Sequence, residues 1–132
     1  MATIKSFSDL EQSRKLAEIL PIESADMYWS RCTITDFGDG VLKVSYAVEP
    51  CNISQFRNTK EDIPCWSLAA LLGMLPKRIE IVDNVYELSV YLYGLYYWNI
   101  SNGNLCFESK DKDNLVDACY EMIIRLNEFN LL

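Results

Sequence analysis

The chain contains no histidine, and that absence excludes more chemistry than any motif present supplies. It removes the commonest general base, the usual activator of a Ser or Cys nucleophile, and the commonest metal ligand. Carboxylate, Lys, Tyr or Cys chemistry would be all that an enzyme had left, so the expectation is a protein that is not an enzyme.

Long apolar runs are missing as well. The apolar stretch from Trp66 to Leu75 is interrupted by Ser67 and Gly73 and stopped by Pro76, short of the roughly 18 residues of a membrane span. Soon after Met1 come Ser6, Ser8, Asp9 and Glu11 in place of the apolar core of a signal peptide. The reading is therefore cytoplasmic, with no membrane partner.

Basic residues are scarce: 12 Lys and Arg face 19 Asp and Glu, a formal net charge of −7. Lys and Arg meeting phosphate or anionic headgroups drive non-specific nucleic-acid and membrane-surface binding, so both are disfavoured. The candidates for a local basic patch are the scattered Arg57 and Lys60 and the later Lys77-Arg78. A neutral or basic protein partner fits this charge better.

The five cysteines, at 32, 51, 65, 106 and 119, are an odd number with no C-x-x-C spacing, which suggests neither a disulfide framework nor a zinc site. Cys32, Cys65 and Cys119 lie in apolar patterns and read as small core hydrophobes, while Cys51, between Pro50 and Asn52, is the expected exposed thiol. Asp36-Phe37-Gly38 matches the kinase magnesium triplet in letters only and reads as a turn. Nothing calls for a cofactor or a metal.

At 132 residues, half of them hydrophobic, the chain suits one α+β domain over residues 1–132. Ser8 with Glu11 has capping-box spacing ahead of an apolar stripe of Leu10, Leu16, Ala17 and Leu20 that Pro21 ends, which predicts a first helix. A hairpin follows, with a five-residue loop at Asp36 to Gly40 opposing Ile34 to Leu42 and Cys32 to Val44. The polar segment Glu49 to Ile63, with Phe56 and Arg57 within it, reads as a loop and a second place for a contact surface.

Pro64 suits the first turn of a second helix capped at Asp62 or Ile63, apolar nearly all round through Leu75. A short strand through Ile79, Ile81 and Val82 leads to a turn at Asp83-Asn84. The last helix, capped by Asp113 or Asn114, carries a stripe of Leu115, Cys119, Met122, Leu126 and Phe129. The predicted order is α-β-β-α-β-β-β-α, a mostly antiparallel sheet of about five strands with helices packed on one face.

The richest segment is Tyr86 to Phe107. Period-two alternation puts Leu88, Val90, Leu92, Gly94, Tyr96, Trp98 and Ile100 on one face and Ser89, Tyr91, Tyr93, Leu95, Tyr97 and Asn99 on the other. A two-residue loop at Asn102-Gly103 would oppose Trp98 to Phe107 and Ile100 to Leu105 on the core face. The other face would then carry Tyr91, Tyr93 and Tyr97 as a binding surface, because tyrosine combines large apolar area with a polar tip at low entropic cost. A protein partner is the leading use of that surface; a small ligand or nucleotide stacked on the three rings is the alternative.

Three segments, Glu23-Ser24-Ala25-Asp26-Met27-Tyr28, Pro64-Cys65-Trp66-Ser67-Leu68 and Leu115-Val116-Asp117-Ala118-Cys119-Tyr120-Glu121-Met122, resemble those of a family of small uncharacterised proteins from gut Bacteroides-type bacteria, their phages and mobile elements. With the strands between them, the resemblance spans nearly the whole chain. It implies a setting, an accessory gene of a phage or mobile element acting by binding another protein, and it carries no catalytic or binding residue.

Overall fold

The computed structural model describes residues 5–34, 43–50, 62–92, 94–110 and 112–132, with the backbone alone for 31–34 and 43–50. The class is α+β, and the chain divides into two compact units, one of Asp9–Trp66 and one of Met1–Ser8 with Ser67–Leu132.

The Asp9–Trp66 unit opens with helix α1 (Leu10–Ala17). Its N-cap is Asp9, whose side chain accepts from the Gln12 amide at 2.8 Å while Gln12 accepts from the Asp9 amide at 3.1 Å. The capping box therefore starts one residue after the expected Ser8, which is buried instead. Both registers offer an acceptor followed three residues later by a Glu or Gln, and burial of Ser8 selects between them. After a 3-10 turn at Ile22–Ser24 come strands β1 (Met27–Ile34), β2 (Lys43–Pro50) and β3 (Ile63–Cys65), in the antiparallel order β2-β1-β3.

Two indole N–H groups hold the pieces of this unit together. Trp29 donates to the Ser13 hydroxyl of α1 at 3.2 Å, and the fully buried Trp66 donates to the Ser24 hydroxyl at 2.9 Å. A buried indole carries large apolar area but must satisfy its N–H, and a serine at each contact does so.

Two expectations fail in this unit. Ile34 pairs with Lys43 and Cys32 with Ser45, one residue out of step with the expected hairpin; its loop, with Asp36 and Asp39, lies outside the described residues. The Ile63-Pro64-Cys65 segment is a strand rather than a helix start, because its backbone pairs with Trp29, Tyr28 and Met27. Proline is tolerated there because β3 is an edge strand of its sheet.

In the other unit, helix α2 (Leu68–Met74) takes Ser67 as its N-cap, the hydroxyl accepting from the Ala70 amide at 3.2 Å. Strands β4 (Arg78–Ile81), β5 (Asn84–Tyr91), β6 (Gly94–Asn99) and β7 (Leu105–Ser109) form an antiparallel sheet in sequence order. Helix α3 (Leu115–Glu128), capped by Asn114 as expected, packs against β6 and β7 and against α2. Its buried stripe is Val116, Cys119, Met122, Ile123 and Leu126, whereas Phe129 is mostly exposed and only tilts against Phe107, ring centroids 5.3 Å apart.

The expected strand from Tyr86 to Ile100 is two strands. Tyr91 pairs with Gly94, so the chain reverses at Leu92, which adopts φ +53°. The β4–β5 reversal is equally tight, with Val82 at φ +47° and Asp83 at φ +62° one position before the expected turn. Two central residues at positive φ match the twist of a hairpin, yet a valine or leucine in that region is uncommon. Local propensity asks for neither Val82 nor Leu92 in that region. The pairing of the strands around them imposes it.

The Asn-Gly hairpin is present with a longer loop and a shifted register. Tyr97 faces Phe107 and Trp98 faces Leu105, with a bulge between, so the expected pairs Trp98 to Phe107 and Ile100 to Leu105 do not form. Asn99 is the cause. Its side-chain oxygen accepts from the Ser101 amide at 2.8 Å and the Asn102 amide at 3.2 Å, and its amide donates to Asn84 at 3.1 Å. Gly103 at φ +73° then closes the loop, its N–H donating to the Asn99 carbonyl at 2.9 Å.

Candidate functional site

Breaking the strand at Leu92 and bulging it after Tyr97 settle which face of β6 is core. Leu95, Tyr97 and Asn99 are buried, joined by Phe107 and Ser109 from β7. Tyr96 and Trp98 take the outer face, with Glu87, Ser89 and Tyr91 opposite them on β5. The core assigned from alternation, with Trp98, Ile100 and Leu105 facing the terminal helix, is therefore inverted: these three are 39%, 54% and 40% exposed. Reversing the chain within a strand breaks the period-two count, and every residue after the turn is read afresh.

Of the tyrosines expected on a binding surface, Tyr91 and Tyr97 do not share an open face. Tyr91 is 68% exposed, on the outer face at the Leu92 end of the sheet. Tyr97 is fully buried, and its hydroxyl donates to the Pro76 carbonyl at 2.7 Å. Burial pushes the Tyr97 phenol well up, with the neighbouring Cys119 adding to it. It is a core residue and is withdrawn from the site. Tyr93, Phe56 and Arg57 lie outside the described residues, as does Cys51.

In their place the outer face carries an aromatic strip along β6. The Tyr96 and Trp98 rings are stacked, 5.8 Å between centroids and 29° between planes. Gly94 makes room for the strip: a Cβ there would stand 2.7 Å from the Tyr96 hydroxyl and 3.0 Å from its ring, so the ring lies over the glycine backbone. Ile100 and Leu105 extend the apolar area past Trp98. Ion pairs border it, Arg78 to Glu87 at 2.7 Å and Lys110 to Glu108 at 3.6 Å. Apolar rings thus lie at the centre of this face, with paired charges at its margin.

Tyr96 and Trp98 are the residues that reading the sequence missed. Gly94 was the available signal, since a glycine two residues from an aromatic on one strand face often marks a ring laid over bare backbone.

Chemistry elsewhere is sparse. Cys65 and Cys119 are buried in the core, and burial holds the Cys119 thiol up at about 12. Cys106, half-buried, is also raised by burial, against smaller opposing effects of the Arg125 charge and a hydrogen bond with Tyr86. Burial therefore works against thiolate formation at Cys106 and Cys119. Among the described residues no three His, Cys, Asp or Glu side chains converge on a point that could hold a metal ion, and no helix is long and apolar enough to cross a membrane. Comparison with protein-family models, curated proteins and solved structures finds no match to this chain.

Proposed function

We propose that this chain is a small, acidic, cytoplasmic protein-interaction module that presents the outer face of its four-stranded sheet to another protein. The observation that supports the reading is the outer-face Tyr96–Trp98 strip, in which Trp98 is exposed and Tyr96 half-buried, with the exposed Ile100 and Leu105. A solvated sheet face needs no such residues, and tryptophan and tyrosine dominate the energetics of protein interfaces. Cys106 and Cys119, thiols not joined in a disulfide, favour a reducing compartment. The setting in a phage or mobile element is part of the same proposal and rests on the resemblance of the three segments alone.

Affinity capture with the tagged protein tests the reading. The pair of changes Trp98→Ser and Ile100→Ser should abolish recovery of the captured protein, whereas Glu11→Gln on the solvent side of α1 should leave it intact. Equal recovery by both variants would remove the face from consideration. Stacking of a small ligand on Tyr91, Tyr93 and Tyr97 is weakened as an alternative, because Tyr97 is enclosed.

A further inference from the structure

Strand β7 closes one side of the four-stranded sheet, and among the described residues no further strand pairs with it. Such an edge normally offers outward N–H and C=O groups to any extended chain that meets it. Here the offer is interrupted. Glu108 pairs with Tyr96, and its carbonyl turns away from β6 to accept from the guanidinium of Arg125 on α3 at 3.0 Å. The same guanidinium stands 5.9 Å from the centroid of the Phe107 ring. It is therefore held at two points, by the strand's outward carbonyl and by an aromatic face one residue away. A bulge at the start of the strand, where Trp98 pairs with Leu105 and Tyr97 with Phe107, leaves Cys106 out of the ladder.

We propose that Arg125 guards the β7 edge: its guanidinium occupies the position from which the N–H of an added strand would reach the Glu108 carbonyl, and so keeps a second copy of this chain from pairing edge to edge. A second copy is the relevant intruder because it always carries the same β7 edge, and two such edges are self-complementary under a twofold axis. The formal charge of −7 opposes association over long range but falls off with salt, whereas a hydrogen-bonded plug at the edge does not depend on ionic strength. A positive side chain there also places charge where an incoming strand would have to desolvate it.

The test is the association state of the full chain at moderate salt. Arg125→Met keeps the apolar stem beside Phe107 and removes the donors, so its weight-average mass in sedimentation should climb with concentration toward that of a dimer over a range in which the parent's does not change. Adding Glu108→Pro should return the mass to the parent's. The Glu108 N–H also points away from β6, so proline removes the outward donor without costing a bond to β6. An Arg125→Met protein that keeps the parent's mass overturns the proposal, as does a double variant that still associates. Should Arg125→Met lose the native circular dichroism, Arg125→Gln, with a shorter reach and a single amide, carries the same comparison.

Discussion

The Tyr97 hydroxyl donates to the Pro76 carbonyl at 2.7 Å, tying the centre of strand β6 to the segment that leaves helix α2. Proline ends the helix and leaves a carbonyl that needs a donor, and an aromatic side chain on the core face of β6 reaches it. The ring supplies apolar burial and the hydroxyl satisfies a partly buried carbonyl.

This relationship separates the tyrosines of the sheet by stability. Tyr97→Ala should cost about 3 to 5 kcal/mol and Tyr97→Phe about 1, the first losing a core ring and the second one hydrogen bond. Tyr91→Ala, on the open face, should fall within about 1 kcal/mol of the parent. Chemical denaturation of the three proteins checks the order, and similar losses for Tyr91→Ala and Tyr97→Ala would contradict the placement of β6.

Gly94→Ala probes the aromatic strip. The new methyl group must displace the end of the Tyr96 side chain, 2.7 Å away, which a flexible residue on an exposed face can accommodate at about 1 kcal/mol or less. The ring next to Trp98 must move, so the Trp98 indole resonance in a proton–nitrogen spectrum should shift while those of Trp29 and Trp66 stay in place. An unmoved Trp98 signal would mean that the two rings are not in contact.

Asn99 organises the β6–β7 loop through three side-chain hydrogen bonds while 4% exposed. Asn99→Ala strips all three and should cost about 2 to 3 kcal/mol. Asn99→Asp keeps both acceptor bonds but loses the donation to Asn84 and sets a carboxylate oxygen against the Asn84 Oδ1, so it should cost less than Asn99→Ala at neutral pH because two loop bonds outweigh that one contact. A thermal melt in which the two changes cost the same would show that the bond to Asn84 outweighs the loop bonds.

The buried thiol of Cys119 gives the protein an alkaline limit. Its folded value, pushed up to about 12 by burial, lies above the 9.0 of an ordinary thiol, so the folded state holds the proton that the unfolded chain releases. The associated stability is complete below about pH 9 and is lost as the pH rises toward 12, in the direction that linkage requires for a raised value. Cys119→Ala should therefore flatten the fall of stability between pH 9 and 11 despite costing stability at pH 7. Under native conditions Cys106 should react with a thiol reagent before Cys65 and Cys119, because only it has partial access to solvent among the three.

Composition and short-range pattern determined the class of this protein, the broad order of its helices and strands apart from β3 and the division of β5 from β6, a cap at Asp113 or Asn114 and the turn that needs Gly103, because each depends on groups a few residues apart. The caps of α1 and α2 show where that information thins. Ser8 and Asp9 are both sound N-caps, and Pro64 suits a helix start as well as an edge strand, until burial and the pairing with Met27–Trp29 choose between them. The candidate site was decided by tertiary structure alone. Leu92 at positive φ leaves no mark in the sequence, since nothing local favours a leucine there. The strand break it makes, together with the bulge after Tyr97, turns Tyr97 into the core and Tyr96 and Trp98 out of it. Alternation states that two faces differ; which of them meets a helix depends on where the chain folds back, and that is set by the packing of β5, β6, β7 and α3 as a whole.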